Sequence, residues 1–153
     1  MITSEIILGV DETAIESLNK AKKIRYAVFC EEQQISQAIE DDGLDTAAVH
    51  VITSMNGEPV ATGRLLVGED FTISRVAVLP QHRKLGLGDL VVRILIRVAF
   101  DMGATEQIVH SQLSAKQFYE KLNFTAIGEP YTEAGISHIT MVHKGDVFGK
   151  CAE

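Results

Sequence analysis

The stretch that decides the reading is FTISRVAVLPQHRKLGLGDLVVRIL, residues 71–95. Its first eight residues are rich in β-branched types and read as a strand, and Pro80, which cannot donate to a ladder, stops it. A basic run follows, then Gly86 and Gly88, and then an apolar stretch. In that stretch Leu90, Val91, Ile94, Leu95, Val98 and Ala99 form one helical face. Asp89, Arg93, Arg97 and Asp101 stand four apart on the other face, where Asp89–Arg93 and Arg97–Asp101 can pair. Strand, glycine loop and helix in that order leave free backbone N–H groups at a helix N-terminus, an environment that attracts anions. Glycine also lets a ligand approach the backbone closely. Two familiar phosphate motifs are excluded. A dinucleotide fingerprint needs a third glycine where Val91 stands, and a Walker A loop needs Lys where Asp89 follows Gly88. Spacing alone leaves a plain tight turn as an equal alternative.

The rest of the chain agrees with a mixed α/β domain. Residues 2–10 read as an edge strand. Thr13 and Glu16 have capping-box spacing ahead of a helix carrying Ile15, Leu18, Ile24, Val28 and Phe29 to about Gln33. Residues 34–46 are polar and acidic and read as a loop, with Glu40, Asp41 and Asp42 either forming the wall of a site or, the preferred reading, solvated. Asn56-Gly57 is a strong hairpin signal, so residues 47–79 read as a three-stranded antiparallel meander. Gly103 ends the central helix. QIVHSQ is a short strand, and Ser114 with Gln117 suggests a second capping box before a helix through Leu122. Residues 124–128 and 136–143 read as closing strands around a loop holding Pro130 and Gly135. No linker or repeat interrupts residues 1–153, which read as one domain.

Composition narrows the function classes. Of 153 residues, 46% are hydrophobic and 23% charged, with a formal net charge of −7, an ordinary globular balance. An acidic chain argues against nucleic acid and anionic membranes as partners, while a local basic site for one small anion stays compatible with it. The N-terminal residues lack the charge and apolar run of a signal peptide, and LVVRILIRVAF is interrupted by Arg93 and Arg97 and too short to span a bilayer. Cys30 and Cys151 show no metal-ligand spacing and read as reduced thiols, so no metal is expected and the cytoplasm is the expected compartment.

RVAVLPQHRKLGLGDLVVRIL closely resembles the acyl-CoA-binding motif of the GNAT superfamily of N-acetyltransferases, whose R/Q-x-x-G-x-G/A loop cradles the CoA pyrophosphate. Here it falls on Arg83, Lys84, Leu85, Gly86, Leu87 and Gly88. HSQLSAKQFYEKLNFTAIGE, residues 110–129, resembles the second family segment, whose helix carries a Tyr beside the CoA sulfur; that maps to Tyr119. Asn123 stands where the family usually has Gly, and Asn also tolerates a left-handed helix end. RYAVFCEEQ, EDDGLD, His50, VATGRL and GISHITM are similar to the small bacterial ElaA/YjcF-type branch.

The resemblance implies a mostly antiparallel central sheet flanked by helices on both faces. It implies an enzyme that moves an acetyl group from acetyl-CoA to a primary amine of a small molecule or peptide in a ternary complex. Val76, Ala77 and Val78 would hold the pantetheine arm and polarise the thioester; the N–H groups of Leu85 to Gly88, with Arg83 and Lys84, would take the pyrophosphate. Gln112, Ala115 and Phe118 in the second segment are assigned to CoA as well. Tyr119 is the candidate general acid, with a plain core Tyr as the alternative. His138 and His110 lead the candidates for the base, alongside Glu129, Glu32 and a water chain, with a purely structural role the commoner alternative for either histidine. Arg25, Glu32, Arg64, Arg75 and Tyr131 are expected to line an acceptor pocket, with Arg64 and Arg75 available either to an anionic group or to salt bridges. An amino-sugar phosphate acetyltransferase and a non-catalytic CoA-binding or sensing module are the alternatives. The superfamily's habit of dimerising suggests a homodimer.

Overall fold

The computed structural model describes residues 1–147, so Cys151 lies outside the described residues. Seven strands form one sheet in the order β1-β2-β3-β4-β5-β7-β6: β1 Ile2–Ile7, β2 Val49–Met55, β3 Glu58–Val67, β4 Phe71–Val78, β5 Glu106–Gln112, β6 Thr125–Glu133 and β7 Ile136–Lys144. All neighbours are antiparallel except β4 and β5. The expected meander is β2–β3–β4, and its first turn carries Asn56 at φ 52° and Gly57 at φ 83°, both left-handed, as a two-residue hairpin turn with the twist of its strands requires.

Helices cover both faces. Alternation along β2 sends Val51 to one side and Ile52 to the other. Ile52 packs with Ile7 and Ala21 of helix α1 (Ile15–Arg25). Val51 joins the main core under helix α3 (Leu87–Asp101), where Val91, Val92, Leu95, Ile96 and Ala99 are buried. The buried face of α3 is therefore turned from the expected one, taking in Val92 and Ile96 while Leu90, Ile94 and Val98 are only half-buried. Tyr119 of helix α4 (Lys116–Lys121) and Phe124 pack into the same core. A Cβ on Gly63 would lie 2.5 Å from Val91 Cγ1 and 2.9 Å from Leu95 Cδ1, so the absent side chain lets α3 press against β3.

Several local expectations are corrected. Neither capping box forms. Asp11 Oδ1 accepts from the N–H groups of Thr13 (2.9 Å) and Ala14 (3.1 Å) ahead of α1, and Ala115 precedes α4 without a side-chain cap. A carboxylate two residues upstream outcompetes Thr13, whose own hydroxyl donates to it at 2.6 Å. The first helix does not run evenly to Gln33. It widens into a π-helix over Tyr26–Glu32. The 34–46 segment is more ordered than a solvated loop: it contains helix α2 (Gln37–Glu40), capped by Ser36 Oγ, and leads into a 3-10 turn at Asp45–Ala47; Glu40, Asp42 and Asp45 are ion-paired, while Asp41 is exposed. Pro130 lies inside β6, tolerated because the strand is at the sheet edge and its register with β7 shifts between Ile127 and Tyr131.

Candidate acyl-transfer site

The sheet is split at its centre. The parallel β4–β5 pair is joined only at Thr72↔Ile108 and Ile73↔Val109. Beyond Ile73, Arg75 takes φ 53°, and the β3–β4 register shifts between Thr62 and Arg64. A left-handed arginine is an uncommon backbone state that persists only where its surroundings enforce it. The resulting bulge bends β4 away from β5 and leaves the β5-facing edge of Ser74 to Val78 without a strand partner. A cavity of about 530 Å³ fills the opening. Its walls include Ser74, Arg75 and Val76 on one side, His110 to Gln112, Ala115 and Tyr119 on the other, and Phe29, Gln33 and Ile39 across the mouth.

At the end of β4 the chain turns through Pro80–His82, and Lys84 and Gly86 are left-handed at φ 65° and 79° before α3 begins. Among the described residues no backbone or side-chain group accepts from the N–H groups of Leu85, Gly86, Leu87 and Gly88. Four free donors at the start of a fifteen-residue helix make an anion cradle. A Cβ on Gly86 would meet nothing within 4 Å, so that face of the loop is open, whereas one on Gly88 would touch the Phe118 ring at 3.4 Å and Val78 at 3.5 Å. The unpaired edge of β4 continues from this cradle into the cavity, and the two together fit a long ligand that is anionic at one end and amide-bearing in the middle.

Tyr119 lines the cavity with its ring held edge-on between Phe118 (4.9 Å) and Phe124 (5.4 Å). Burial pushes its hydroxyl well above the usual phenol range, so it keeps its proton throughout the neutral range. On the same side of the cleft, His138 is register-paired with Gln112 and stacked on Tyr131 at 5.8 Å. Its Nδ1 lies 2.7 Å from the Ile136 carbonyl. A carbonyl can only accept, so Nδ1 carries the proton and neutral His138 presents an unprotonated Nε2. That Nε2 stands 4.0 Å from Glu133 Oε2. The cavity therefore holds a proton donor and a proton acceptor, both on the side formed by β5, β7 and α4.

The comparisons agree with this geometry. A family model described as an acetyltransferase (GNAT) domain matches residues 14–144. The chain belongs to the GNAT acetyltransferases. The Bacillus subtilis protein YyaT is 36% identical over 133 residues, covering 84% of this chain and 90% of its own. The N-acetyltransferase YjcF of the same organism is 31% identical over 129 residues, 83% and 92% of the two chains. Escherichia coli ElaA, a solved structure, superposes with a TM-score of 0.80 at 26% identity over 93% and 99%. This acetyltransferase is of the ElaA/YjcF type.

The acetyltransferase brings fewer than half of the residues singled out from its sequence to the cavity; Ala77, Val78, Phe118 and residues 83–88 do not line it. Tyr119, His110, His138, Val76, Gln112, Ala115, Arg64 and Arg75 share the cavity. His110 turns Nδ1 to Thr140 Oγ1 at 3.1 Å. Tyr131 reaches the site through its stack on His138. Arg25 must be reassigned. It is 1% exposed, donating Nε to Glu40 (2.6 Å) and Nη1 to Asp45 (2.9 Å), so it supports the pocket from behind and has no surface to offer an acceptor. Arg83 and Glu32 face each other in a bidentate pair at 2.8 and 2.6 Å, and Arg83 Nε donates to the Val78 carbonyl. That pair lowers Glu32 and raises Arg83 from their usual values, which leaves Glu32 poorly suited as a base.

Residues not foreseen include Gln33, which accepts from Gln112 Nε2 at 2.7 Å across the mouth, and Asp45, which bridges two arginines. Phe29, inside the π-helix, and Gln33, at its C-terminal cap, both line the cavity. Asp42 accepts from Arg64, Arg75 and the Leu44 N–H; burial opposes its charge, but these partners prevail and hold it at about 2.

Proposed function

We propose that the enzyme transfers an acetyl group from acetyl-CoA to the primary amine of a small molecule or peptide, by direct attack within a ternary complex. The observation that carries this reading is the split between β4 and β5, whose cavity is lined by Ser74 to Val76, Tyr119 and His138, with the free N–H groups of residues 85–88 beside the end of β4, where a Cβ on Gly88 would lie 3.5 Å from Val78. Acetyl-CoA, when bound, supplies an activated thioester. The chain's own residues do the rest. Leu85 to Gly88 hold the pyrophosphate with N–H groups fixed before binding. The open edge of β4 from Ser74 to Val78 offers peptide groups to the pantetheine arm and a donor to the oxygen on which charge develops. His138 Nε2 takes the proton of the attacking amine, and its Nδ1–H bond to Ile136 keeps the ring oriented. Tyr119 holds a proton at Oη for the departing thiolate.

Thiol release from acetyl-CoA over a panel of primary amines tests the proposal. Turnover with at least one amine class supports it. Acetyl-CoA binding with no thiol release from any class would favour a binding or sensing module instead.

A further inference from the structure

We propose that the acceptor carries a carboxylate beside its amine and that Arg75 reads that carboxylate. The inference rests on the acyl-transfer reading above and names its second substrate.

Three arginines and three carboxylates converge where segment 36–45 crosses β3 and β4. Arg25 and Arg64 are each 1% exposed. Arg64 donates Nε to Ser74 Oγ, Nη1 to Asp42 and Asp45, and Nη2 to Asp42, which leaves no nitrogen of it without a partner. Arg75 differs. Its Nη2 donates to the Glu40 carbonyl (3.0 Å) and to Asp42 Oδ2 (3.2 Å), and its Nε lies 3.2 Å from Glu40 Oε1. Its Nη1 meets no partner among the described residues and is not among the buried polar atoms, while the side chain is 25% exposed and lines the cavity. The left-handed backbone at Arg75 aims the side chain there, so the same bulge that opens the sheet delivers a guanidinium edge to the pocket.

Charge sets the class of group this edge would take. Arg25, Arg64 and Arg75 balance Glu40, Asp42 and Asp45, so the cluster is neutral and one anionic ligand charge is matched only locally, by Nη1. Glu40, Asp42 and Glu133 all line the same cavity and would repel the second charge of a phosphate. A polyamine would bring its second ammonium against Arg75. The far wall, with His138 Nε2 and Glu133, suits an amine. A carboxylate on a guanidinium edge, with an amine toward His138, satisfies both walls.

The test uses wild-type enzyme, acetyl-CoA and matched amines on one carbon skeleton, each as carboxylate, carboxamide and phosphate ester, read by thiol release. The carboxylate is expected to exceed its carboxamide by about tenfold or more in kcat/KM, as a charge-assisted pair implies. Arg75→Gln should abolish that ratio, mainly through KM, while Arg75→Lys keeps part of it. A carboxamide or phosphate that equals or exceeds the carboxylate in wild type overturns the proposal, as does a ratio that survives in Arg75→Gln. A second readout needs no turnover. N-acetyl products, as carboxylate and as amide, are compared for thermal stabilisation of wild type with and without CoA. A larger shift from the carboxylate supports the Arg75 site even if acetyl-CoA fails to bind, and equal shifts overturn it even if transfer is observed.

Discussion

Asp45→Asn should destabilise the enzyme more than its position in a polar segment suggests. Asp45 is 5% exposed, and its Oδ1 accepts from Arg25 Nη1 at 2.9 Å and from Arg64 Nη1 at 3.0 Å. The substitution keeps an acceptor oxygen but removes the charge, leaving three buried or half-buried guanidinium groups against two carboxylates. Breaking a buried pair by removing one partner costs about 3–5 kcal/mol, and the retained oxygen places this change near the lower end, about 3 kcal/mol. Urea unfolding at pH 7 measures it. The pH dependence gives a second check. Burial raises the pKa of Asp45, but Arg25 and Arg64 outweigh it and hold the folded value below the usual one. Its contribution is therefore complete above the unfolded carboxylate value of roughly 4 and fades as pH falls through the folded value. Asp42, held at about 2, behaves likewise: its contribution, reduced by solvent screening at this exposed position, is lost between roughly pH 4 and 2. The gap between wild type and Asp45→Asn should accordingly narrow in acid. A loss below about 1 kcal/mol at pH 7, the range of an exposed pair, would refute the view that this cluster is a buried structural unit. Because segment 36–45 walls the cavity, the variant should also raise the acceptor KM more than that of acetyl-CoA.

Other expectations follow from single contacts. Tyr119→Phe should lower kcat by at least about tenfold, the low side of acid–base contributions, with acetyl-CoA binding intact; an unchanged kcat with a good amine would return Tyr119 to a purely core role. His138→Gln should reduce kcat by about a hundredfold with acetyl-CoA binding intact, and an unchanged kcat would exclude it as the base. Gly63→Ala should cost about 1–3 kcal/mol in thermal or urea unfolding, because its Cβ meets Val91 and Leu95 at 2.5 and 2.9 Å; unaltered stability would mean that α3 shifts freely on the sheet.

Much of this architecture is legible in the chain because its signals are local. Asn56-Gly57 names its own turn type, Pro80 ends a strand, and the stripe from Leu90 to Ala99 reads as a helix on the core, although its buried face is turned to take in Val92 and Ile96. Asn123 takes φ 69° at a helix end, as its short polar side chain allows. The candidate site was less legible, since its decisive features depend on residues distant in sequence. Glu40, Asp41 and Asp42 look like a solvated acidic run until Arg25, Arg64 and Arg75 arrive from a helix and two strands to pair with Glu40, Asp42 and the nearby Asp45. The capping-box pattern at Thr13 and Glu16 loses to Asp11, a competition that the pattern does not encode. Arg75 is a β-region residue by propensity, and only the mismatch between β3 and β4 turns it left-handed. Pro130 reads as a strand breaker, yet an edge strand with a register shift accommodates it.

The central claim is that the glycine loop and the split sheet hold acetyl-CoA, and thermal unfolding of wild type and Gly86→Val with and without millimolar acetyl-CoA tests it most directly. Gly86 sits at φ 79° with open space around it, so a β-branched side chain there both strains the loop and covers its donors. The account predicts a rise of several degrees for wild type, as about 3 kcal/mol of linkage would give for ligand at a hundredfold over Kd, and little or no rise for Gly86→Val. A wild-type melting temperature unmoved by acetyl-CoA, or an equal rise in Gly86→Val, would contradict it.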